Sequence, residues 1–283
     1  MASENSILRV QGLSKQYPAF RLQDVSFSLQ AGMITGFIGR NGAGKTTTIN
    51  SILSFVRPDA GEIAFFGLPF PENDRAVKQR IGFVSAGMTY YTRKKLAAIT
   101  RVTKSFYPGW DGAQYEKYMK RFGLADDKMP AELSNGMKIK YALTLAMSHG
   151  AELLILDEPT SGLDPVSREE LVEIFLKLKD EGKTIFFSTH ITSDLEKCAD
   201  RILFLQEGRL KADDSLDGFR AAWRIAECTG PVPEALAEVS RGACRVRDGY
   251  TVLVRPEDGA AFNAREATLE EIMIHLEKEA DAE

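Results

Sequence analysis

"GFIGRNGAGKTTTIN", Gly36 to Asn50, is the stretch whose reading decides the fold. Within it Gly39-Arg-Asn-Gly-Ala-Gly44-Lys45-Thr46 fits the G-x-x-x-x-G-K-[ST] pattern without a gap. Ahead lies "MITGFIG", a short apolar run closed by glycine, which reads as a buried strand. Behind it, "KTTTINSILSFV" places Ile49, Ile52, Leu53 and Val56 at helical spacing. A strand, a glycine loop and a helix N-terminus in that order aim backbone N–H groups at one point. The helix end adds roughly half a positive charge there. Such a cradle suits the phosphates of a nucleoside triphosphate. Gly39, Asn41, Gly42, Ala43, Gly44, Lys45, Thr46 and Thr47 are the expected contacts, with Lys45 at the outer phosphates and Thr46 on a magnesium ion. The competing reading, a chance glycine-rich turn, leaves the flanking strand and helix without a reason.

Composition narrows the class. At 283 residues the chain has room for one large domain and a small one, and its core needs no disulfide or metal staple. A net charge of −4 argues against a broad nucleic-acid-binding face. Cys198, Cys228 and Cys244 are odd in number and form no C-x-x-C pair, which suits a reducing compartment and gives no metal motif. "MASENSILRV" lacks the basic start and apolar core of a secretion signal, and no run approaches the ~18 apolar residues of a membrane span. The chain is therefore expected in the cytoplasm.

Kinases, GTPases, helicases and transport engines all carry such a loop, so the middle of the chain has to choose among them. "AELLILDEPTSGLDP" begins with Leu153-Leu-Ile-Leu156, too short for a helix and apolar on both faces, as a central parallel strand is. Asp157 and Glu158 follow at its carboxyl end, where open α/β sheets place their ligands. Asp157 can hold the magnesium shell, and Glu158 can orient and deprotonate a water attacking the outer phosphate. A pair of solvated charges closing a strand is the bland alternative.

Leu133-Ser134-Asn135-Gly136-Met137 stands just before "KIKYALTLAMS", whose Ile139, Ala142, Leu143 and Ala146 mark a helix with an apolar stripe. This pentapeptide resembles the LSGGQ signature of ATP-binding-cassette (ABC) ATPases, and the resemblance covers most of residues 5–215 in the family's order. It implies that Tyr17 stacks on adenine, that Gly39 to Thr46 form the Walker A loop and that Asp157 and Glu158 close Walker B. It further implies that Ser161-Gly-Leu-Asp164 is the D-loop, with Asp164 facing the nucleotide, and that His190 in "FFSTH" is the switch histidine. Ser134 and Gly136 would complete the γ-phosphate site of an opposite subunit, so that ATP closes two subunits and hydrolysis reopens them. Bland readings stand beside these: a strand-edge aromatic for Tyr17, a core histidine for His190, a helix cap for Asp164.

Departures from the family pattern are local. Asn135 replaces the signature's first glycine, a position for which tolerance of left-handed backbone qualifies asparagine. Met137 replaces glutamine, and Arg40 stands where the family often has proline. "IGFVSAGM" puts Ala86 where the family has a metal-facing glutamine, with Ser85 as a partial substitute.

Residues from about 87 to 150 read as a helical insertion, "YYTRKKLAAITRVTKSFYPGWDGAQYEKYMKRFG". Tyr90, Tyr91, Phe106 and Trp110 are candidate docking aromatics for membrane subunits, and "YPGWD" resembles bacterial exporters of the antibiotic and multidrug type. His149 and His275 read as surface or packing residues. Past Leu216, "CRVRDGYTVLVR" reads as a hairpin with a tight Asp-Gly turn, and Thr268-Leu-Glu-Glu271 as a capping box opening a last helix.

The expectation is an α/β chain: a P-loop ATPase core with a mainly parallel sheet, an N-terminal antiparallel β part, a helical subdomain at about 87–150 and a small C-terminal α+β tail. The ABC nucleotide-binding domain would span 1–215 and the accessory tail 216–283. Its function by resemblance is ATP hydrolysis with Mg2+ for an ABC transporter, expected to be an exporter, on the inner face of the membrane. Its partners would be separate transmembrane permease subunits and a second ATPase subunit in a homodimer or heterodimer, with no nucleic acid. The alternatives are a soluble ABC ATPase of repair or translation and a non-hydrolysing dimerisation module.

Overall fold

The computed structural model describes residues 6–85 and 92–280. Its centre is a six-stranded sheet in the order Arg209–Ser215, Arg201–Gln206, Ile34–Ile38, Thr184–Thr189, Leu153–Asp157, Ile81–Ser85. The neighbours run parallel except for the first pair, which is an antiparallel hairpin. Ile34–Ile38, Leu153–Asp157 and Thr184–Thr189 are buried along their whole length, which explains apolar runs without alternation. Because these strands run the same way, their carboxyl ends deliver Gly39, Asp157 with Glu158, and His190 to one edge.

Against this sheet lies a four-stranded antiparallel sheet in the order Phe20–Gln30, Ser6–Tyr17, Ala60–Phe65, Leu68–Phe70. Leu8, Leu13, Leu22 and Leu29 from it share a core with Phe37, Phe186 and Leu203 of the central sheet. The expected helical insertion contains Leu96–Ser105, Gly112–Arg121 and Asn135–Ser148. These pack through Leu96, Ile99, Met119 and Leu145, and the Thr100 hydroxyl lies 3.0 Å and 2.8 Å from the Tyr115 and Tyr141 hydroxyls. Trp110 is half-buried against this cluster, 5.7 Å from the Tyr115 ring, so its indole is a packing group there, whereas Phe106 is 68% exposed. Tyr90, Tyr91 and Ala86 lie outside the described residues. His149 and His275 are both buried packing residues.

The tail folds as a third sheet, order Ala243–Val246, Gly249–Val254, Arg224–Thr229, Arg265–Glu266, closed by the helix Leu269–Ala280. The capping box forms: Thr268 N–H donates to Glu271 Oε2 at 3.0 Å and Glu271 N–H to Thr268 Oγ1 at 3.2 Å. The hairpin turn is one position earlier than the sequence indicates. Val246 pairs with Gly249, so the two-residue loop is Arg247-Asp248. Gly249 is the first residue of its strand, and a Cβ there would meet the Cys228 carbonyl oxygen at 1.9 Å, so the position takes glycine. Leu216, Phe219, Ile225, Leu253, Leu269 and Ile272 of the tail belong to the same core as Ile34 and Leu154. Among the described residues no helix is long and apolar enough to cross a membrane.

Candidate functional site

The loop after Ile34–Ile38 turns into the helix Lys45–Ile52 at Gly44, whose φ of 111° is left-handed. A Cβ at Gly44 would lie 2.6 Å from the Phe20 ring, so glycine here serves both the turn and a close approach. Phe20 and Tyr17 face each other across a two-residue hairpin loop and bring an aromatic wall to the loop. Tyr17, Phe20, Asn41, Gly42, Gly44, Lys45, Thr46, Thr47, Glu158, Ser161 and His190 line one open cleft of about 660 Å³. Ala43 is buried; its backbone serves the loop, with its N–H donating to the Arg40 carbonyl at 3.1 Å and its own carbonyl accepting from Gly208 N–H at 3.0 Å.

Lys45 bends back into the loop. Its Nζ donates to the Gly39 carbonyl at 2.7 Å and the Arg40 carbonyl at 3.4 Å, and stands 3.3 Å from Glu158 Oε1. The side chain is 6% exposed, so these oxygens hold a buried ammonium in place. On the other side of Glu158, Oε2 lies 2.9 Å from His190 Nδ1. Below them, Thr46 Oγ1 donates to Asp157 Oδ2 at 3.0 Å, and Ser188 Oγ donates to Asp157 Oδ1 at 2.6 Å. Thr46 and Asp157 form an oxygen-only pair, the kind of donor set that fits a hard cation keeping several waters. Among the described residues no group of three or more His, Cys, Asp and Glu is placed to hold a metal.

Ser188 escapes a reading of motifs. It faces Asp157 in the parallel register, donates to its carboxylate, and accepts the Glu158 N–H at 3.0 Å. The signal was a lone hydroxyl in the apolar strand "TIFFST", but its partner is 31 residues away in sequence. Ser85 stands in register with Asp157 on the other side, at the end of the strand before Ala86.

Three expected residues stand apart from the cleft. Ser134 caps the helix Asn135–Ser148, accepting the Met137 N–H at 3.2 Å, and is otherwise exposed. Gly136 sits in the first turn of that helix, and a Cβ there would come no nearer than 3.8 Å to Ser167. Asn135 is the first helical residue and takes no left-handed φ, so that property of asparagine is not used; its amide sits beside Lys138 instead, at 3.4 Å. Asp164 caps the helix Pro165–Asp180, with Oδ1 accepting from Val166 N–H and Ser167 N–H and Oδ2 from Ser167 Oγ. The Ser167 hydroxyl and these amides hold its carboxyl below the usual carboxylate range.

A glycine loop feeding a helix N-terminus, with a lysine on the loop and paired carboxylates on the next parallel strand but one, defines a P-loop nucleoside triphosphatase. Known proteins narrow this. The ABC transporter family matches residues 22–161. Nod factor export ATP-binding protein I of Burkholderia orbicola (strain AU 1054) is 33% identical over 280 residues, covering 89% of this chain and 90% of that protein. Bacitracin transport ATP-binding protein BcrA of Bacillus licheniformis is 32% identical over 217 residues, covering 75% and 71%. A solved ATP-binding subunit of an ABC transporter superposes with a TM-score of 0.69 at 32% identity, over 76% of this chain and 92% of that one. The chain belongs to the ABC transporter ATP-binding proteins: it is an ATP-binding subunit that hydrolyses ATP for transport.

Proposed function

We propose that this chain is the ATPase subunit of an exporter, closing on ATP and Mg2+ against a second ATPase subunit to drive separate membrane-spanning chains. The observation that carries the catalytic part is the Glu158 carboxylate held between Lys45 and His190, at 3.3 Å and 2.9 Å, above the Thr46–Asp157 pair. Glu158 is the general base, and His190 holds its carboxylate in line while contacting the outer phosphate. Lys45 moves from Glu158 to the more highly charged phosphate oxygens once ATP enters, which frees the base to take a proton from water. The N–H groups of Gly42, Gly44, Lys45, Thr46 and Thr47 receive the phosphates, with Gly39, Asn41 and Ala43 shaping the loop; Tyr17 stacks on the adenine. Magnesium, when bound, neutralises charge on the outer phosphates, and Thr46 and Asp157 are the residues that would hold it.

Dimerisation is supported by what the cleft lacks. It is open, and Ser134 and Gly136 line none of it, though both sit at a helix N-terminus able to receive an anion. A second ATPase subunit, the same chain or a sister, supplies these groups across the interface, and Asp164 orders the loop beside them. The cassette spans 1–215 with its helical subdomain at about 87–150, and 216–283 form the accessory tail. Phe106, Val102 and Phe55, at 68%, 56% and 57% exposed, offer apolar surface for the membrane subunits at the cytoplasmic face. Export is supported by the relative named for Nod factor export.

The experiment is recovery of the native chain from detergent-solubilised membranes. A co-purifying membrane-spanning chain is expected. Recovery from the soluble fraction without such a companion overturns the transport-coupled reading.

A further inference from the structure

The last helix, Leu269–Ala280, touches the surroundings of the nucleotide site at both ends. At its start, the Leu269 N–H donates to Glu196 Oε1 at 2.8 Å. Glu196 lies on the helix Thr192–Cys198, which begins two residues after His190. Toward its end, the Leu276 carbonyl accepts Gln206 Nε2 at 2.9 Å, and the next residue, Glu277, places Oε2 3.9 Å from Arg40 Nη1. Arg40 is the second residue of the phosphate loop, and its carbonyl receives both the Ala43 N–H and Lys45 Nζ. Gln206, 5% exposed, ends the strand whose following turn donates Gly208 N–H to the Ala43 carbonyl. Glu277 follows Leu269 by about eight helical steps, a rise of about 12 Å. Leu269 and Ile272 are fully buried in the main core, so this span is a rigid strut.

We infer that the last helix positions both catalytic loops, with Glu277 acting on nucleotide affinity through Arg40 and Glu196 acting on turnover through the helix that follows His190. Both are positioning residues; neither lines the cleft. The physical basis is leverage on loops made of backbone. The phosphate loop binds through N–H directions, and a loop that wanders must be ordered again when the ligand arrives. Glu277 Oε2 reaches the Arg40 guanidinium, and Gln206 fixes the end of the strand that leads to Gly208. Glu196 ties the start of the same helix to the helix that follows His190. The Arg40 guanidinium is 55% exposed, so its contribution is modest and salt-sensitive. This inference rests on the assignment of Lys45 and His190 above.

The test uses the full chain, with ATP binding read by titration calorimetry and hydrolysis by phosphate release. Glu277→Gln and Arg40→Gln are each expected to weaken ATP binding about twofold to fivefold, and the double variant no more than either. Turnover at saturating ATP should stay near that of the parent in Glu277→Gln, which lies outside the cleft. Glu196→Ala should do the reverse, lowering turnover about twofold to tenfold with ATP affinity unchanged. Melting temperatures of all four chains confirm folding. An unchanged affinity in Glu277→Gln, additive losses in the double variant, or equal effects of Glu277→Gln and Glu196→Ala on both parameters overturns the inference. Lys45→Ala run alongside separates the two levels. If it binds ATP as tightly as the parent, the site assignment itself has failed; if it loses binding while the Glu277 variant does not, only the strut has.

Discussion

Glu158 Oε2 stands 2.9 Å from His190 Nδ1, and Glu158 reaches that position from a left-handed backbone, φ 51°. A non-glycine residue there carries strain, of order 1–3 kcal/mol, that the surroundings must offset. They do so through Ser188, whose carbonyl and hydroxyl both receive the Glu158 N–H, at 3.2 Å and 3.0 Å. The turn swings the carboxylate off the strand axis and over the loop, between Lys45 and His190. Asp157, one residue earlier, stays buried and points at Thr46. Two adjacent carboxylates thereby acquire different surroundings and different uses.

Glu158→Gln keeps the shape and the contact with His190 but cannot accept a proton. Turnover should fall by roughly 10²–10⁴, the usual worth of a general base, with ATP still bound. The stalled chain should then accumulate as a dimer in sizing chromatography with ATP and magnesium. A strictly monomeric profile would exclude a stable homodimer and point to a sister ATPase as the second subunit.

Binding and chemistry should separate between Lys45 and His190. Lys45→Ala removes the cation that faces the outer phosphates, and tight ATP binding should be lost. His190→Ala leaves the loop, Thr46 and Asp157 intact, so affinity should hold while turnover drops at least tenfold. Nucleotide titrations of the two variants check this; an equal loss of affinity in both would remove His190 from catalysis.

Ser188→Ala tests a residue that motif reading passed over. Its hydroxyl donates to Asp157 Oδ1 at 2.6 Å and accepts from Glu158. Removing it leaves a buried carboxylate oxygen short of a donor, a cost of about 1–3 kcal/mol. The magnesium concentration for half-maximal turnover should rise several-fold and the melting temperature should fall. A variant with the parent's magnesium response would show that Ser188 braces the strands and does not tune the carboxylates.

What the sequence made legible follows from the range of the interactions involved. The phosphate loop, its buried strand and the Asp157–Glu158 strand end are local patterns, and they fold as read. The capping box at Thr268 and Glu271 is local as well, and it forms. Ser188 beside Asp157, Glu277 beside Arg40 and Trp110 against Tyr115 depend on which distant segments meet, so residue type offered no signal for them. The hairpin loop falls at Arg247-Asp248, one residue before the Asp-Gly pair, for the same reason. Gly249 is required by the Cys228 carbonyl on the next strand, a contact that no window around Gly249 contains.

His149 gives the chain a pH-dependent stability separate from its site. The imidazole is 8% exposed, lies stacked on Tyr107 with ring centroids 3.9 Å apart, and has no hydrogen-bond partner at Nδ1. Burial is the main cause that pushes its pKa down to about 4, from an ordinary value of 6.5, against a smaller upward pull from the Gln79 backbone. Between those two values the unfolded chain binds a proton at this histidine and the folded chain does not. Stability must therefore rise with pH across that window and fall as pH drops from 6.5 toward 4. Below about 4 both states carry the proton, and this contribution levels off. The shift corresponds to a loss of up to about 3 kcal/mol across the window. His149→Phe keeps a flat ring against Tyr107 and cannot titrate. Urea unfolding of both chains at pH 7, 6, 5 and 4.5 isolates the effect, since carboxylates that protonate in both cancel in the difference. The stability gap should move toward the variant as pH falls. A gap independent of pH would mean that His149 takes up its proton equally well in the folded chain, and that the pocket opens to admit it.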